Sequence, residues 1–151
     1  MKNLRSALLI LAVVVMFPMN ALANELARGY SDNELIQILT TDGYTAVSQI
    51  EDGMIRIKID GRSYILFNKP DGDLQLYYAI TGVDISYVDV NEWNKTKRLS
   101  KAYLDNDNDP VLEADLLANG GISHKHVTEF FDIFLLSVSS FRDFILENDA
   151  S

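Results

Sequence analysis

The chain has 151 residues, of which 13 are basic and 22 acidic, so its formal net charge is −9. This negative charge opposes binding to nucleic acid and to anionic membrane surfaces, because both carry phosphate groups that a partner must neutralise. The sequence contains no cysteine. Disulfides, cysteine-ligated metals and a lipid-modified export signal are therefore excluded, and packing alone must stabilise the fold.

The first 23 residues have the three parts of a secretory signal peptide. Lys2 and Arg5 give a positive start, an apolar run follows over 7–17, and a small-x-small site ends at Ala23. The run is shorter than the roughly 20 residues that a membrane-spanning helix needs. We therefore expect cleavage after Ala23, a periplasmic or secreted mature protein, and no membrane anchor once the signal is removed.

A single domain over 31–148 is expected after a flexible lead-in over 24–30. Ser31 and Glu34 have the spacing of a capping box, which predicts that the first helix begins there. Gly43 predicts the end of this helix, because glycine readily adopts the left-handed conformation found at helix C-termini.

Alternation of apolar and polar residues predicts four consecutive strands after the first helix. Asp-Gly pairs at 52–53 and 60–61 favour tight hairpins, since glycine and aspartate tolerate the positive φ that such turns require. The result is an antiparallel meander with one face in water. The predicted strands are 44–51, 54–59, 62–68 and 74–81.

The second half is predicted to contain a helix over 84–98, strands over 99–104 and 111–117, and a long final helix. Gly120-Gly121 predicts the turn before that helix, and Ser123 predicts its N-cap. An apolar stripe broad enough to cross a sheet follows the helical period. The stripe consists of Val127, Phe130, Phe134, Val138, Phe141 and Ile145, widened by Phe131, Leu135 and Phe144. The sequence thus predicts a two-layer α+β domain in which helices pack on an antiparallel sheet.

Three aspartates have a spacing that resembles part of a calcium-binding loop. Asp105, Asp107 and Asp109 alternate like the first ligands of a calcium loop, but Pro110 and Leu116 occupy the positions that require glycine and glutamate. A polar hairpin tip is the favoured interpretation.

The two histidines, His124 and His126, are predicted to be solvated residues in the first turn of the last helix. Two residues apart on a helix, their side chains diverge and cannot share a metal. No nucleophile elbow or phosphate-binding loop is present in the sequence. We therefore expect no catalytic residue, no metal and no cofactor.

The segment around the only tryptophan contains two asparagines, Asn91 and Asn94, spaced three apart. Asparagine is a poor helix former, so two in one predicted turn indicate that their amides are used. One interpretation is a buried amide network that fixes this helix to neighbouring strands, with Trp93 as a core residue. The other is a partner-binding face, for which the candidates are Asn91, Trp93, Asn94, Arg98 and Tyr78.

Four segments carry a family resemblance. They are Val90-Asn91-Glu92-Trp93-Asn94, Arg98-Leu99-Ser100-Lys101-Ala102-Tyr103, Leu112-Glu113-Ala114-Asp115-Leu116 and Gly120-Gly121-Ile122-Ser123. Through them residues 31–147 resemble the YbjN family of proposed bacterial sensory transduction regulators. The resemblance implies a fold like that of class I type III secretion chaperones, which bind other proteins and often dimerise, and it implies no catalytic residues. Many members are cytoplasmic, so the predicted signal peptide distinguishes this protein from them.

The leading functional hypothesis is an exported, non-enzymatic protein-binding or chaperone-like module with a regulatory or envelope-stress role. Its partner would be another protein, or a second copy in a homodimer, and an exposed sheet edge or an apolar groove would take an extended segment of that partner. The candidates for that contact also include Met54 and Tyr77. The alternative is a periplasmic sensor with a small-ligand pocket between sheet and helix, and a hydrolase ranks third.

Overall fold

The computed structural model describes residues 26–151, so the predicted signal peptide lies outside the described residues. Within this range the predicted α+β class and the predicted order of elements are confirmed. The helices are α1 (Asp32–Thr41), α2 (Tyr87–Thr96) and α3 (His124–Asn148). The strands are β1 (Val47–Glu51), β2 (Met54–Ile59), β3 (Arg62–Asn68), β4 (Leu74–Ala79), β5 (Lys101–Leu104) and β6 (Pro110–Leu116).

The strands form one antiparallel sheet in the order β1-β2-β3-β4-β6-β5. The β2–β3 turn has the predicted form, with φ of 49° at Asp60 and 77° at Gly61. The β1–β2 turn differs, because the register shifts between Gln49 and Glu51 while Gly53 alone takes a φ of 71° there. An extra residue in β1 therefore accompanies this turn as a bulge.

Each helix begins with a reciprocal capping box. In α1 the Glu34 carboxylate accepts the Ser31 N–H at 2.7 Å, and the Ser31 hydroxyl accepts the Glu34 N–H at 3.4 Å. The start predicted for this helix is confirmed. The same bonds begin the other two helices, between Ser86 and Asp89 and between Ser123 and His126.

The hydrophobic core lies between α3 and one face of the sheet. The inward stripe of α3 recurs every three or four residues and comprises Val127, Phe131, Phe134, Val138, Phe141 and Ile145. The sequence pattern put Phe130 in this stripe, but the structure leaves Phe130 half-buried and buries Phe131. Both α1 and α2 contact α3, so the three helices form one layer. From the sheet the core receives Ile55, Ile57, Tyr64, Leu66, Leu74, Leu76, Tyr78 and Leu112.

β1 and α2 begin later than the sequence pattern indicates, and so does β5, which begins at Lys101 rather than at residue 99. β1 begins at Val47, because the Tyr44 N–H still donates to the Leu39 carbonyl at the exit from α1. α2 begins at Tyr87, because Ser86 acts as its cap. In both cases a hydrogen bond at a helix end, rather than hydropathy, sets the boundary.

The described part of the segment before α1 is attached to the domain by hydrogen bonds. Ala27 and Ile122 exchange two backbone hydrogen bonds of 2.9 and 2.8 Å. The Tyr30 hydroxyl also donates to the Ile122 carbonyl, 92 positions along the sequence, at 3.0 Å. A Cβ on Gly72 would lie 2.0 Å from the Arg28 carbonyl oxygen, so only glycine permits this approach. A composition pattern misses this attachment because its partners are distant in sequence.

Candidate functional site

The two faces of the sheet have different surroundings. The helix layer covers one face, which contributes its side chains to the hydrophobic core. Within residues 26–151 no helix packs on the opposite side, which we call the open face. The uncovered side of an antiparallel sheet is usually polar, since its side chains meet water.

The open face of β2, β3 and β4 instead carries apolar and aromatic side chains around one arginine. All are partly buried, and we name them the open-face cluster: Met54, Arg56, Ile65, Phe67 and Tyr77. The register joins them, because Met54 lies opposite Phe67 and Ile65 lies opposite both Arg56 and Tyr77. The rings of Phe67 and Tyr77 meet edge to face, with centroids 6.3 Å apart. The cluster is therefore one continuous surface.

Arg56 is a cation without a partner among the described residues. Its Nε is buried and makes no hydrogen bond within them. The ion pairs found in this part of the protein do not include it. Its cross-strand neighbours, Ser48 and Ile65, carry no charge. A buried donor without an acceptor costs about 1–3 kcal/mol, so the fold retains an unfavourable group here.

A buried carboxylate lies on the same face beyond β4. Glu113 of β6 is 7% exposed and lies opposite Tyr77. It accepts hydrogen bonds from the Tyr103 hydroxyl at 2.7 Å and from Lys101 Nζ at 2.9 Å. Gln75 Nε2 adds a longer bond of 3.4 Å. Because both strong donors belong to β5, this carboxylate fixes the edge strand to β6.

Acidic side chains give the β6 end of the open face a negative electrostatic potential. Burial raises the pKa of Tyr103 above its ordinary value, and the hydrogen bond to Glu113 raises it further. The hydrogen bond to Glu113 also raises the pKa of Lys101. Burial raises the pKa of Tyr77, and the charges of Asp105 and Glu113 add to this effect. The face therefore carries an unpaired cation on β2 and anionic groups beyond β4.

Two of the predicted partner-binding residues lie on the covered side of the sheet. Trp93 is 1% exposed, and its ring packs edge to face on Phe141 with centroids 5.0 Å apart. Tyr78 is 4% exposed, stacks on Tyr64 and accepts a 2.7 Å hydrogen bond from Arg142 Nη1. The structure thus gives both side chains a packing role.

The other three predicted partner-binding residues, Asn91, Asn94 and Arg98, also differ in their surroundings. Asn94 is an exposed residue whose amide is nevertheless used: its Nδ2 donates to the Ala102 carbonyl at 2.9 Å, and its Oδ1 accepts the Ala102 N–H at 2.8 Å. These bonds fix α2 to β5. Asn91 and Arg98 are exposed. The five candidates therefore do not share one surface.

The architecture above coincides with a family match. A family model for YbjN, described as "Putative bacterial sensory transduction regulator", matches residues 31–147. The chain belongs to the YbjN family. The match runs from the cap of α1 to the last turn of α3, so it spans the whole sheet and the helix layer. A comparison with curated proteins finds no match.

In this YbjN protein the aspartate-rich segment forms a polar turn between β5 and β6. One carboxylate oxygen of Asp105 accepts the backbone N–H groups of Asp107 and Asp109, both at 2.9 Å. Asn108 takes a φ of 62°, which asparagine tolerates. The carboxylate of Asp105 thus shapes the turn from within.

Both histidines lie in the first turn of α3 and are exposed. His126 Nδ1 accepts the Ser123 N–H at 3.2 Å, while the ring of His124 meets that of Tyr30 at 5.2 Å between centroids. Among residues 26–151, no three acidic or histidine side chains converge as metal ligands would. None of the helices in that range is long and apolar enough to cross a membrane.

Surface clefts border the helix layer and the segment before α1. A cleft of about 540 Å³ lies between α1 and α3, and its lining includes Glu34, Asp42 and Lys125. Another of about 920 Å³ lies beside the β1–β2 and β3–β4 turns, and its lining includes Arg28 and Asp32. Most residues that line these two clefts are polar or charged, whereas ligand pockets are lined mainly by hydrophobic and aromatic residues. A small-ligand pocket between sheet and helix stays a prediction.

Sequence reasoning did not single out Arg56 or Glu113. The alternation of β2 shows that Arg56 points away from Ile55 and Ile57, so its side of the sheet could be derived from the pattern. Nothing local places Glu113 beside Tyr77, because β6 pairs with β4 and leaves β5 at the edge.

Proposed function

We propose that this YbjN protein is an exported, non-enzymatic regulator that binds another protein through the open face of its sheet. The open-face cluster is the observation that supports this proposal. Apolar patches with a polar rim are typical of protein-interaction surfaces on otherwise polar domains. Here the patch occupies positions where a water-exposed sheet normally carries polar residues.

The cluster suits a flat or extended segment of the partner, as a chaperone-like module would bind it. Phe67 and Tyr77 offer large rigid surfaces with few rotatable bonds, so little side-chain entropy is lost on contact. The family description, a sensory transduction regulator, supports a role in which binding rather than turnover transmits the effect.

Export is part of the proposal and rests on the signal pattern of residues 1–23. A YbjN domain delivered by such a signal would regulate a partner in the envelope or outside the cell. Protein recovered from the periplasm or medium should begin at Asn24, which its intact mass would establish. Recovery of the uncleaved protein from the cytoplasm alone would contradict this part.

Site-specific photo-cross-linking in the producing bacterium tests the binding surface. A photoreactive residue replaces Lys58, an exposed residue on the open face of β2, or Leu146, which is 64% exposed on α3. We expect one reproducible partner to be cross-linked from position 58 and not from position 146. The purified partner should then bind a Phe67→Ala/Tyr77→Ala variant at least tenfold more weakly than the native protein.

Cross-linking from position 146 alone would move the interface to the helix layer and contradict the proposal. A product joining two copies of this protein from position 58 would make the open face a homodimer contact instead. Unchanged affinity of the double variant for the purified partner would exclude the cluster as the contact.

A further inference from the structure

We infer that Arg56 is the recognition residue of the open face and that it binds a carboxylate of the partner protein, flanked there by apolar side chains. The carboxylate would belong to an aspartate, to a glutamate or to the last residue of the partner. This inference rests on the proposed function, because it specifies the chemistry that the open face selects.

The unpaired state of Arg56 is the first observation. A guanidinium offers five N–H donors in a planar fork, which matches the two oxygens of a carboxylate. The Nε donor is buried and has no acceptor among the described residues. Arg56 as a whole is partly exposed and forms no ion pair with a described residue, so a partner carboxylate that contacts the guanidinium supplies an acceptor that this part of the protein does not.

The charge distribution around Arg56 is the second observation. Glu113, the buried carboxylate on this face, is already bonded to Tyr103 and Lys101 and lies beyond β4. Lys58, two residues along β2 and exposed, and Lys69, whose Nζ lies 4.6 Å from the ring centroid of Phe67, add positive charge on the same side. Glu51 of β1, opposite Met54, adds one exposed negative charge, so the cations outnumber it here. In a protein of net charge −9, most of the surface repels a carboxylate, so an acidic segment is steered toward this part of β2.

The apolar members of the open-face cluster are the third observation. Ile65 lies directly opposite Arg56, and Met54 and Phe67 form the next cross-strand pair. A partner segment covering these side chains would exclude water from the ion pair, which strengthens its attraction and weakens its screening by salt. Recognition therefore requires a carboxylate with apolar neighbours, and a lone acidic ion would bind weakly.

This role predicts an unusual stability signature for Arg56→Met. Methionine keeps the length and apolar stem of the side chain but removes the donor that lacks an acceptor. The free protein should therefore melt at the same temperature as the native protein or higher. An arginine kept for structure would instead lower the melting temperature when replaced.

Two peptides provide the binding test, acetyl-Leu-Val-Glu-Val-Leu-amide and its glutamine counterpart. We expect the glutamate peptide to shift the Arg56 Nε–H resonance and the β2, β3 and β4 amides saturably in NMR spectra. The glutamine peptide should bind at least tenfold more weakly. Arg56→Met should remove this difference, whereas Arg98→Met, which removes an exposed guanidinium beyond α2, should retain it.

The results that would contradict the inference differ from those that would contradict the proposed function. Equal binding of the two peptides at the open face would overturn carboxylate recognition while the proposed function stands. The same holds if the partner cross-linked from position 58 binds the native protein and Arg56→Met equally. A lowered melting temperature for Arg56→Met, with peptide discrimination unchanged, would make Arg56 structural and overturn the inference. If no protein is cross-linked from position 58 when that residue is the only one replaced, the proposed function itself is refuted.

Discussion

Adjacent tyrosines of β4 show how different the two sides of this sheet are. Tyr78 is 4% exposed, stacked on Tyr64 and hydrogen-bonded by Arg142. Tyr77, one residue earlier, is partly exposed and meets Phe67 edge to face. Because strand side chains alternate, one backbone segment supplies a core residue and a surface residue. The covered side uses its aromatic groups for packing, and the open side leaves its own incompletely buried.

The comparison separates residues that stabilise the domain from residues that are free to serve its function. On the covered side the Tyr78 hydroxyl has a partner, and Trp93, whose Nε1 is buried without one among the described residues, offsets that loss through the packing of its ring on Phe141. On the open side, Arg56 keeps a buried donor without an acceptor in the described part of the protein. Folding alone does not require that group, and sites that carry an unfavourable group without a structural return are typical of function.

The largest effect on stability is expected from truncating a core side chain on the covered side. Phe134 is 1% exposed in the centre of the α3 stripe, so Phe134→Ala should lower the free energy of unfolding by about 3–5 kcal/mol. Leu136→Ala, at a position 70% exposed on the same helix, should change it by less than about 0.5 kcal/mol. Urea denaturation of both variants measures the difference. A loss below about 1 kcal/mol for Phe134→Ala would show that α3 is not packed on the sheet.

A smaller effect is expected where the helix layer is fixed to the edge strand. Asn94→Ala removes both side-chain bonds to Ala102 and should cost about 1–3 kcal/mol, because the buried backbone groups of Ala102 lose their partner. Asn91→Ala, on the exposed side of α2, serves as the matched control and should be nearly neutral. Urea unfolding followed by Trp93 fluorescence reports on this helix. Equal losses in the two variants would contradict the assigned roles.

The smallest effect is expected for a hydrogen bond on the open side, and it appears in how the free energy of unfolding falls at alkaline pH. The folded protein raises the pKa of Tyr103 and Lys101 above ordinary values of 10.0 and 10.5, so the unfolded protein releases these protons first. Their contribution to stability is complete below about pH 9 and falls as the pH rises toward the folded-state values. Tyr103→Phe should therefore flatten the alkaline decline in the free energy of unfolding. Tyr87→Phe, at a tyrosine 71% exposed, should not.

Urea denaturation at several pH values between about 8 and 11 measures this decline. The native protein and Tyr87→Phe should give curves of the same slope. A Tyr103→Phe curve as steep as theirs would show that the hydroxyl bonded to Glu113 does not contribute to the pH dependence.

Much of the fold follows from short-range patterns. The spacing of Ser31 and Glu34 predicts the start of α1, and Asp60-Gly61 predicts the tight β2–β3 turn, because each feature involves neighbours in sequence. The candidate site was far less predictable. The pattern left Trp93 open as a core residue or as part of a partner-binding face, and only the packing against α3 shows that it is buried.

Local periodicity, capping residues and turn chemistry determined the α+β class, the element order and the broad apolar side of α3, since each acts within a few residues of sequence. Tertiary structure alone decided that β6 pairs with β4, which brings Glu113 beside Tyr77. It also decided that Arg56 remains without an acceptor in the described domain. The physical reason is that strand order and side-chain partners depend on contacts between distant segments, which no local pattern encodes.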